Sequence, residues 1–479
     1  MSTAGRVLVA MIGALAAAFL LHPASMAQAT AQGVLAFTHI AVIDVRSGAI
    51  ERDSTVVVTG NRITSLGPKG KVRPRSGAHV VDGRGKFLIP GLWDMHVHIE
   101  PAAEIFAKLY LAEGVTGIRD MRMELDSLLA LREKIRSGSI LMPRMVASGP
   151  ALDDLPAQFP FQVKLHVKNA EDARAAVDML KANGVDFIKV HNFTPRDAFF
   201  AIADEAKRQN LTFVGHVPLS VSVPEAVKAG QRSIEHLSEF RVVEECSTRE
   251  KCDALIALLQ QYGTWQCPTL VELRETAQLS APDENRAKYV PGTVKKFWAL
   301  NASMLNNLSP EAKSQIKERY RQALPLVGEF QKDGIGILAG TDSPVFVNVV
   351  SGFSLHDELA LLVEAGLTPL QALQAATLNP ARFLGKEADL GTIETGKLAD
   401  LVVLDANPLD DIHNTTKIRA VVSDGRYFDR KSLDALLAEA EMAAKSMQPR
   451  KLMTRTSQAI PIRSPPRRSA VCSRVAGSG

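Results

Sequence analysis

The sequence predicts an α/β fold, a (β/α)8 TIM-like barrel with a small β-sandwich domain built from both ends of the chain. Three observations predict it. Between residues 89 and 387, short apolar strands alternate with helical stretches, the rhythm of a parallel barrel. Residues 34–88 read instead as closely spaced strands and turns, and that style returns at 391–428. The chain has 479 residues, enough for one large barrel and an accessory domain. Hydrophobic residues make up 46% and charged residues 23%, which excludes a disordered chain. A mean hydropathy near zero excludes a polytopic membrane protein.

Residues 1–27 read as a signal peptide. Arg6 supplies the positive start, and Val7–Leu21 is an unbroken apolar run of 15 residues. Ser25-Met26-Ala27 and Ala27-Gln28-Ala29 both offer small-residue cleavage sites. The run is short for a spanning helix, which needs roughly 20 residues. The alternative is an uncleaved anchor. No cysteine precedes Cys246, which excludes a lipidated N-terminus. The mature chain is expected to begin near residue 28 and to work in the periplasm or outside the cell, with no stable membrane insertion.

Residues 28–88 are expected to supply the first part of the sandwich. Its strands are Ile40–Val45, Ser54–Thr59, Arg62–Leu66 and His79–Asp82, with turns at Gly48, Gly60-Asn61, Gly67-Pro68 and Gly83. The barrel, residues 89–387, takes strands at Leu88-Ile89, Val115–Asp120, Arg144–Ser148, Phe187–Val190, Phe213–His216, Ser233–Leu237, Trp265–Leu270 and Ile335–Ala339. Helices such as Ala170–Asn183 and Pro195–Gln209 separate them. The helical insertion at 271–332 exceeds a normal connection and is expected to fold over the barrel mouth. Residues 388–430 return to the sandwich through Gly391–Lys397, Leu401–Leu404 and Ile418–Val422. A C-terminal helix covers 431–445.

The tail, 446–479, reads as disordered, being rich in arginine, serine and proline and poor in large apolar residues. No acidic residue follows Glu441, and the basic tail leaves a mildly acidic body, which argues against nucleic acid as a partner. Four cysteines do not make a disulfide scaffold. In an oxidising compartment Cys246 and Cys252 form a local disulfide or remain two surface thiols, whereas Cys267, in an apolar stretch, reads as a buried small hydrophobe. No Cys-x-x-Cys pair exists, so a thiolate zinc site is not expected.

Histidines carry the chemical signal. His96-Val97-His98 lies just past the first barrel strand, and residues two apart in extended backbone point the same way. His216 ends the fifth strand, His236 the sixth, and Asp342 follows the eighth. Strand carboxyl ends are where barrel active sites form. Neutral imidazoles and a carboxylate suit Zn²⁺ or a similar divalent ion. Lys189 interrupts the apolar strand Asp186–Val190, and an inward lysine is costly unless paired or modified. His191, two residues on, faces the same interior and is a candidate for binding a substrate carbonyl or carboxylate. The alternative for His191 is a histidine that only hydrogen-bonds the site's other residues. His356 is expected on a helix face, and Thr368-Pro369 at a helix start.

Pro90-Gly91-Leu92-Trp93-Asp94-Met95-His96-Val97-His98 and Gly396-Lys397-Leu398-Ala399-Asp400-Leu401-Val402 resemble motifs of the amidohydrolase superfamily, in its binuclear, carboxylated-lysine branch. The enzymes it is most similar to are imidazolonepropionase-like, including prolidase-like dipeptidases. The resemblance runs from about residue 34 to 430. It implies that His96, His98 and Asp342 bind a buried metal, that His216 and His236 bind an exposed one, and that Lys189, carboxylated by CO2, bridges both. It thus implies two divalent ions, Zn²⁺ or else Mn²⁺ or Co²⁺. A water between such ions ionises near neutral pH. It would attack a carbonyl while Asp342 takes its proton and passes it to the leaving amine.

The expected activity is hydrolysis of an amide or peptide C–N bond in a small molecule or dipeptide, including Xaa-Pro dipeptides and N-acyl amino acids. A mononuclear deaminase or cyclic-amide hydrolase is the second reading, and a lactonase or phosphotriesterase is a further one. A catalytically silent binding protein is the third class. Lys189 discriminates, because a mononuclear site does not need it. A homo-oligomer is compatible with all of them.

Overall fold

The computed structural model describes residues 33–100, 102–154 and 163–447. The expected signal peptide and all but the first two residues of the tail lie outside that range. Among the described residues no helix is long and apolar enough to cross a membrane.

The strands, in chain order, are β1 (Val34–Ile43), β2 (Ile50–Thr59), β3 (Arg62–Pro68), β4 (His79–Asp82) and β5 (Phe87–Pro90). Next come β6 (Leu92–Val97), β7 (Val115–Asp120), β8 (Arg144–Ala147), β9 (Ala151–Asp153) and β10 (Lys164–His166). β11 (Ile188–Val190), β12 (Phe213–Gly215), β13 (Ser233–Glu235) and β14 (Trp265–Cys267) follow. β15 (Leu401–Leu404), β16 (Ile418–Ser423) and β17 (Arg426–Asp429) close the series.

The first five strands and the last three pair into one eight-stranded sheet, ordered β17-β16-β15-β5-β1-β2-β3 with β4 on β1. The seam between the two ends of the chain is antiparallel, Leu401 opposite Pro90 through Leu404 opposite Phe87. Alternation along these strands serves two cores. Leu88, Leu401 and Val403 face the sheet's own core, while Ile89, Val402 and Leu404 face the large core beneath the parallel strands.

That pairing corrects two expectations. Leu88-Ile89 belongs to β5 of this sheet, and the first parallel strand is β6, beyond Gly91. Gly391–Lys397 is a turn-rich segment rather than a strand, held to β3 by Ile63 N to Lys397 O at 2.9 Å and Gly396 N to Ile63 O at 2.8 Å, next to the isolated Arg62–Leu398 bridge.

The middle of the chain is mixed α/β with parallel sheets. β6-β7-β8 form a three-stranded sheet, and β10-β9-β11-β12-β13-β14 a six-stranded one. Asp186 N donates to Ala147 O at 3.0 Å between them. On the other side the expected eighth strand, Ile335–Ala339, is not an extended strand. Parallel bridges Gln266–Ile337 and Val97–Ser343 tie that segment to β14 and β6. One face of the strands packs on helices such as Ala170–Ala182 and Arg196–Arg208 through Ile118, Ile188, Val190 and Ile234. The other face carries Trp93, Met95, Met121, Phe187 and Val214 as a floor, and the polar residues of the site above it.

The 271–332 region is helical as expected, in Leu270–Gln278, Glu284–Ala287, Gly292–Asn306 and Pro310–Lys332. Trp298 Nε1 donates to Pro344 O at 2.7 Å and Asn301 Nδ2 to Val345 O at 3.0 Å, so these helices brace the loop after Asp342. Cys246 and Cys252 are joined in a disulfide with Cα atoms 4.1 Å apart, and Cys267 is buried and unpaired. Thr368 caps the Pro369–Ala375 helix in a reciprocal capping box with Gln371.

Candidate metal centre

Four histidines, a lysine and an aspartate converge where the parallel strands end. His96 lies within β6 and His98 just past it. Lys189 is central in β11, His216 follows β12, His236 follows β13, and Asp342 sits in the loop beyond the Gln266–Ile337 bridge. The rings form a chain, with centroids 5.4 Å apart for His96–His98, 4.4 Å for His96–His236 and 4.9 Å for His216–His236. Asp342 Oδ1 lies 3.3 Å from His96 Nε2 and 2.9 Å from His98 Nε2. The donor atoms of His96, His236 and Asp342 all fall within 4.8 Å of one another.

Hydrogen bonds set the tautomers. His96 Nδ1 lies 2.8 Å from Glu235 Oε2, and His216 Nδ1 lies 2.8 Å from Asn192 Oδ1. Both oxygens only accept, so each Nδ1 carries the proton and each Nε2 keeps its lone pair. His236 Nδ1 is likewise occupied, 2.6 Å from Thr269 Oγ1. His96 Nε2 and Asp342 Oδ1, both buried, make no hydrogen bond. A lone pair therefore faces a carboxylate oxygen at 3.3 Å, a repulsive contact unless a cation lies between them. The donor set thus fits a divalent metal.

Electrostatics points the same way. Burial pushes His98 down to about 3, helped by the Arg122 charge. Burial likewise holds His216 and His236 well below the ordinary imidazole range, keeping them neutral donors.

Lys189 is 2% exposed, and its Nζ makes no hydrogen bond or ion pair among the described residues. Burial pulls it down to about 8, against the pull of Glu235 and Asp342. Its side chain lies across Gly215, where an added Cβ would come within 3.0 Å of Lys189 Cδ and 2.2 Å of Val190 O. Gly340 gives the same clearance to His96, whose Cβ an added side chain would approach to 2.9 Å.

The backbone around the ligands is strained. Asp342 has φ +60°, and residues 236–240 are all left-handed, with φ between 41° and 75°. Such residues cost about 1–2 kcal/mol each and concentrate at functional sites. That turn brings Glu239 Oε1 within 2.9 Å of Asn192 Nδ2 and 3.6 Å of His216 Nδ1. The Asp342 loop is tied to β6 by Asp94, which accepts from Thr341 N at 3.0 Å and Thr341 Oγ1 at 2.7 Å.

Beneath His96, Glu235 is held by Arg119, whose Nη2 lies 3.0 and 2.9 Å from its two oxygens. Arg119 also donates to Met95 O and Ser233 Oγ, and its guanidinium lies over the Phe187 and Phe383 rings. His96, Glu235 and Cys267 form a second cluster of donor type. It is no second metal site, because Arg119 occupies Glu235 and burial keeps the Cys267 thiol protonated.

His191 stacks on His216 with centroids 4.2 Å apart, and its Nδ1 lies 3.4 Å from Asp153 Oδ2. His356 is remote, bound to Thr415 Oγ1 and Glu113 O as a packing histidine. The residues that orient the ligands escape a sequence reading. Glu235 and Arg119 left one trace, a charge inside each of two fully buried strands. Asn192 and Thr269 left none.

Imidazoles and a carboxylate at the ends of parallel strands, around a buried unpaired lysine, define an enzyme centre of divalent-metal donors. Residues 87–427 match the Amidohydrolase family, and the chain belongs to that family. It is a hydrolase acting on C–N bonds. It is 26% identical over 436 residues to an ochratoxinase of Aspergillus niger, covering 77% of this chain and 81% of that protein. A crystal structure of a putative prolidase from Bifidobacterium longum superposes with TM-score 0.68 at 27% identity, covering 86% of this chain and 99% of that one. The bottromycin amidohydrolase AH superposes with TM-score 0.69 at 26% identity, covering 88% and 93%.

Proposed function

We propose that this protein is an exported, binuclear metal-dependent amidohydrolase that cleaves the amide bond of a dipeptide, Xaa-Pro dipeptide or N-acyl amino acid. In this reading the parallel strands close into a (β/α)8 barrel. His96, His98 and Asp342 would hold one ion, His216 and His236 another, and a carboxylated Lys189 both. The observation that carries the reading is Lys189, a buried residue whose amine has no hydrogen bond or ion pair among the described residues and stands among neutral imidazoles. Only the neutral amine reacts with CO2, and burial favours that form. The carbamate gives up the cation and presents two oxygens.

Zn²⁺, Mn²⁺ or Co²⁺ bound here would acidify a water and polarise the substrate carbonyl. Asp342, already ionised, accepts the water's proton on a carboxylate oxygen and then donates it to the departing nitrogen. The Glu235–His96, Asn192–His216 and Thr269–His236 contacts keep each Nε2 directed inward during that exchange. His191, beside His216, contacts the substrate carbonyl or carboxylate.

The relatives named for prolidase, ochratoxin and bottromycin chemistry support amide cleavage by this chain. The close His96–His236–Asp342 grouping favours a mononuclear second reading. Metal analysis of purified protein, with turnover of Xaa-Pro dipeptides and N-acyl amino acids, separates them. Two ions per chain with amide turnover supports the first reading, and one ion with turnover of a cyclic amide or an amine substrate supports the second.

A further inference from the structure

Arg122 stands two residues beyond β7, at the same strand ends as the metal ligands. Its backbone is fixed on both sides. Met121 N donates to Val97 O at 2.9 Å, and Met123 N to Gly149 O at 3.1 Å. Arg122 N itself donates to Asp120 Oδ1 at 3.1 Å. The residue is therefore clamped beside His98. The bonds to Val97 O and Gly149 O set Arg122 at the ends of the strands that carry His96 and His98, and its charge acts on Asp342, Asp120 and Asp153.

Yet the partly buried guanidinium makes no hydrogen bond and no ion pair to any described residue. None of the carboxylates around it is paired with the guanidinium, although Asp153 Oδ2 and Asp342 Oδ1 have no hydrogen bond of their own. Asp120 accepts from Ile99 N, Glu100 from Glu124 N, and Asp153 from Phe193 N, while Asp342 faces the histidines. Three residues earlier, every guanidinium nitrogen of Arg119 donates to a buried acceptor. A partly buried arginine with a free planar fork suits a carboxylate.

We propose that Arg122 binds the free carboxylate of the substrate, which makes the enzyme selective for N-acyl amino acids and dipeptides over neutral amides. The proposal rests on the amide-hydrolase reading of the site. A monoanion fits better than a phosphate, because Asp120, Asp153 and Glu100 line the same corner and repel a second negative charge. The bidentate pair also fixes the distance from carboxylate to scissile carbonyl, so it orients as well as attracts.

Two measurements on the metal-loaded full mature chain test it. The first is kcat/KM for N-acetyl-L-phenylalanine and for its carboxamide, in wild type, Arg122→Met and Arg122→Lys. The second is calorimetric binding of 3-phenylpropionate to the same proteins. The preference for acid over carboxamide is expected to collapse by about 10²-fold in Arg122→Met. 3-Phenylpropionate binding should be lost in parallel, metal content and melting temperature should stay at wild-type levels, and Arg122→Lys should recover part of the preference. An unchanged preference together with unchanged 3-phenylpropionate affinity overturns the proposal, while the amide-hydrolase reading stands. Loss of metal from Arg122→Met also overturns it, assigning the residue to the centre's architecture. If wild type cleaves neither substrate but binds 3-phenylpropionate through Arg122, the N-acyl amino acid reading fails and the carboxylate site remains.

Discussion

Two buried lysines separate the two regions of this molecule. Lys397, in the turn-rich edge of the end-built sheet, is 6% exposed, and its Nζ donates to Leu390 O at 3.2 Å and Thr392 Oγ1 at 2.5 Å, with Glu394 at 3.8 Å. Lys189, among the parallel strands, is more deeply buried and has no such partner among the described residues. Elementary solvation demands that a buried cation be paired, neutralised or chemically changed. The sheet obeys by pairing. The centre leaves the demand open, and a stable fold that does so reserves the group for chemistry. Arg119 and Arg122 repeat the contrast three residues apart, the first fully engaged and the second waiting for a ligand.

That contrast can be broken by substitution. Lys189→Ala is expected to lose bound metal and reduce turnover to background, and short-chain carboxylates are expected to restore part of both. Full metal and activity in Lys189→Ala would end the bridging role. Asp342→Asn should keep much of its metal, because the amide still offers an oxygen, but it cannot take the proton. Its turnover should fall about 10²–10⁴-fold. Near-normal rates would remove Asp342 from the mechanism.

Glu235→Gln frees the His96 tautomer and leaves Arg119 buried without its counter-charge. A metal titration should show affinity weakened about 10–100-fold, and denaturant unfolding should show a loss of about 3–5 kcal/mol. Unchanged affinity would mean that Glu235 only packs. Lys397→Met is the counterpart in the sheet. It leaves Leu390 O unsatisfied and should cost about 1–3 kcal/mol of stability, with kcat per folded molecule unaltered. A drop in kcat would show that the two regions are coupled. Smallest of all is the effect of the tail. A chain comprising residues 28–445 should fold, bind metal and turn over like the full mature protein, whereas ending it at 385 should abolish solubility by removing β15, β16 and β17.

The sequence carried the ligands more clearly than their supports. His96 and His98 are legible because spacing of two in extended backbone puts both rings on one side. His216, His236 and Lys189 are legible because polar residues in or ending apolar strands have no packing explanation. Glu235, Asn192 and Thr269 are not legible as orienting groups, since their partners lie 139, 24 and 33 residues away. Arg122 reads as an ordinary loop arginine until the fold closes around it. Leu88-Ile89 was misplaced because a short apolar run fits either region. Only the Pro90-Gly91 break, with Gly91 N donating to Asp400 O at 2.8 Å, divides β5 from β6.

The central claim is that Lys189 becomes a carbamate holding two ions. Metal-free protein should be reconstituted with Zn²⁺ and ¹³C-bicarbonate, and its ¹³C spectrum and metal content read together. The account predicts one carbamate carbonyl signal and two ions per chain. Uptake should accelerate as pH rises through about 8, where the Lys189 amine becomes neutral, and the signal should be absent in Lys189→Ala. Two tightly bound ions without any carbamate signal, or one ion unaffected by bicarbonate, would contradict it.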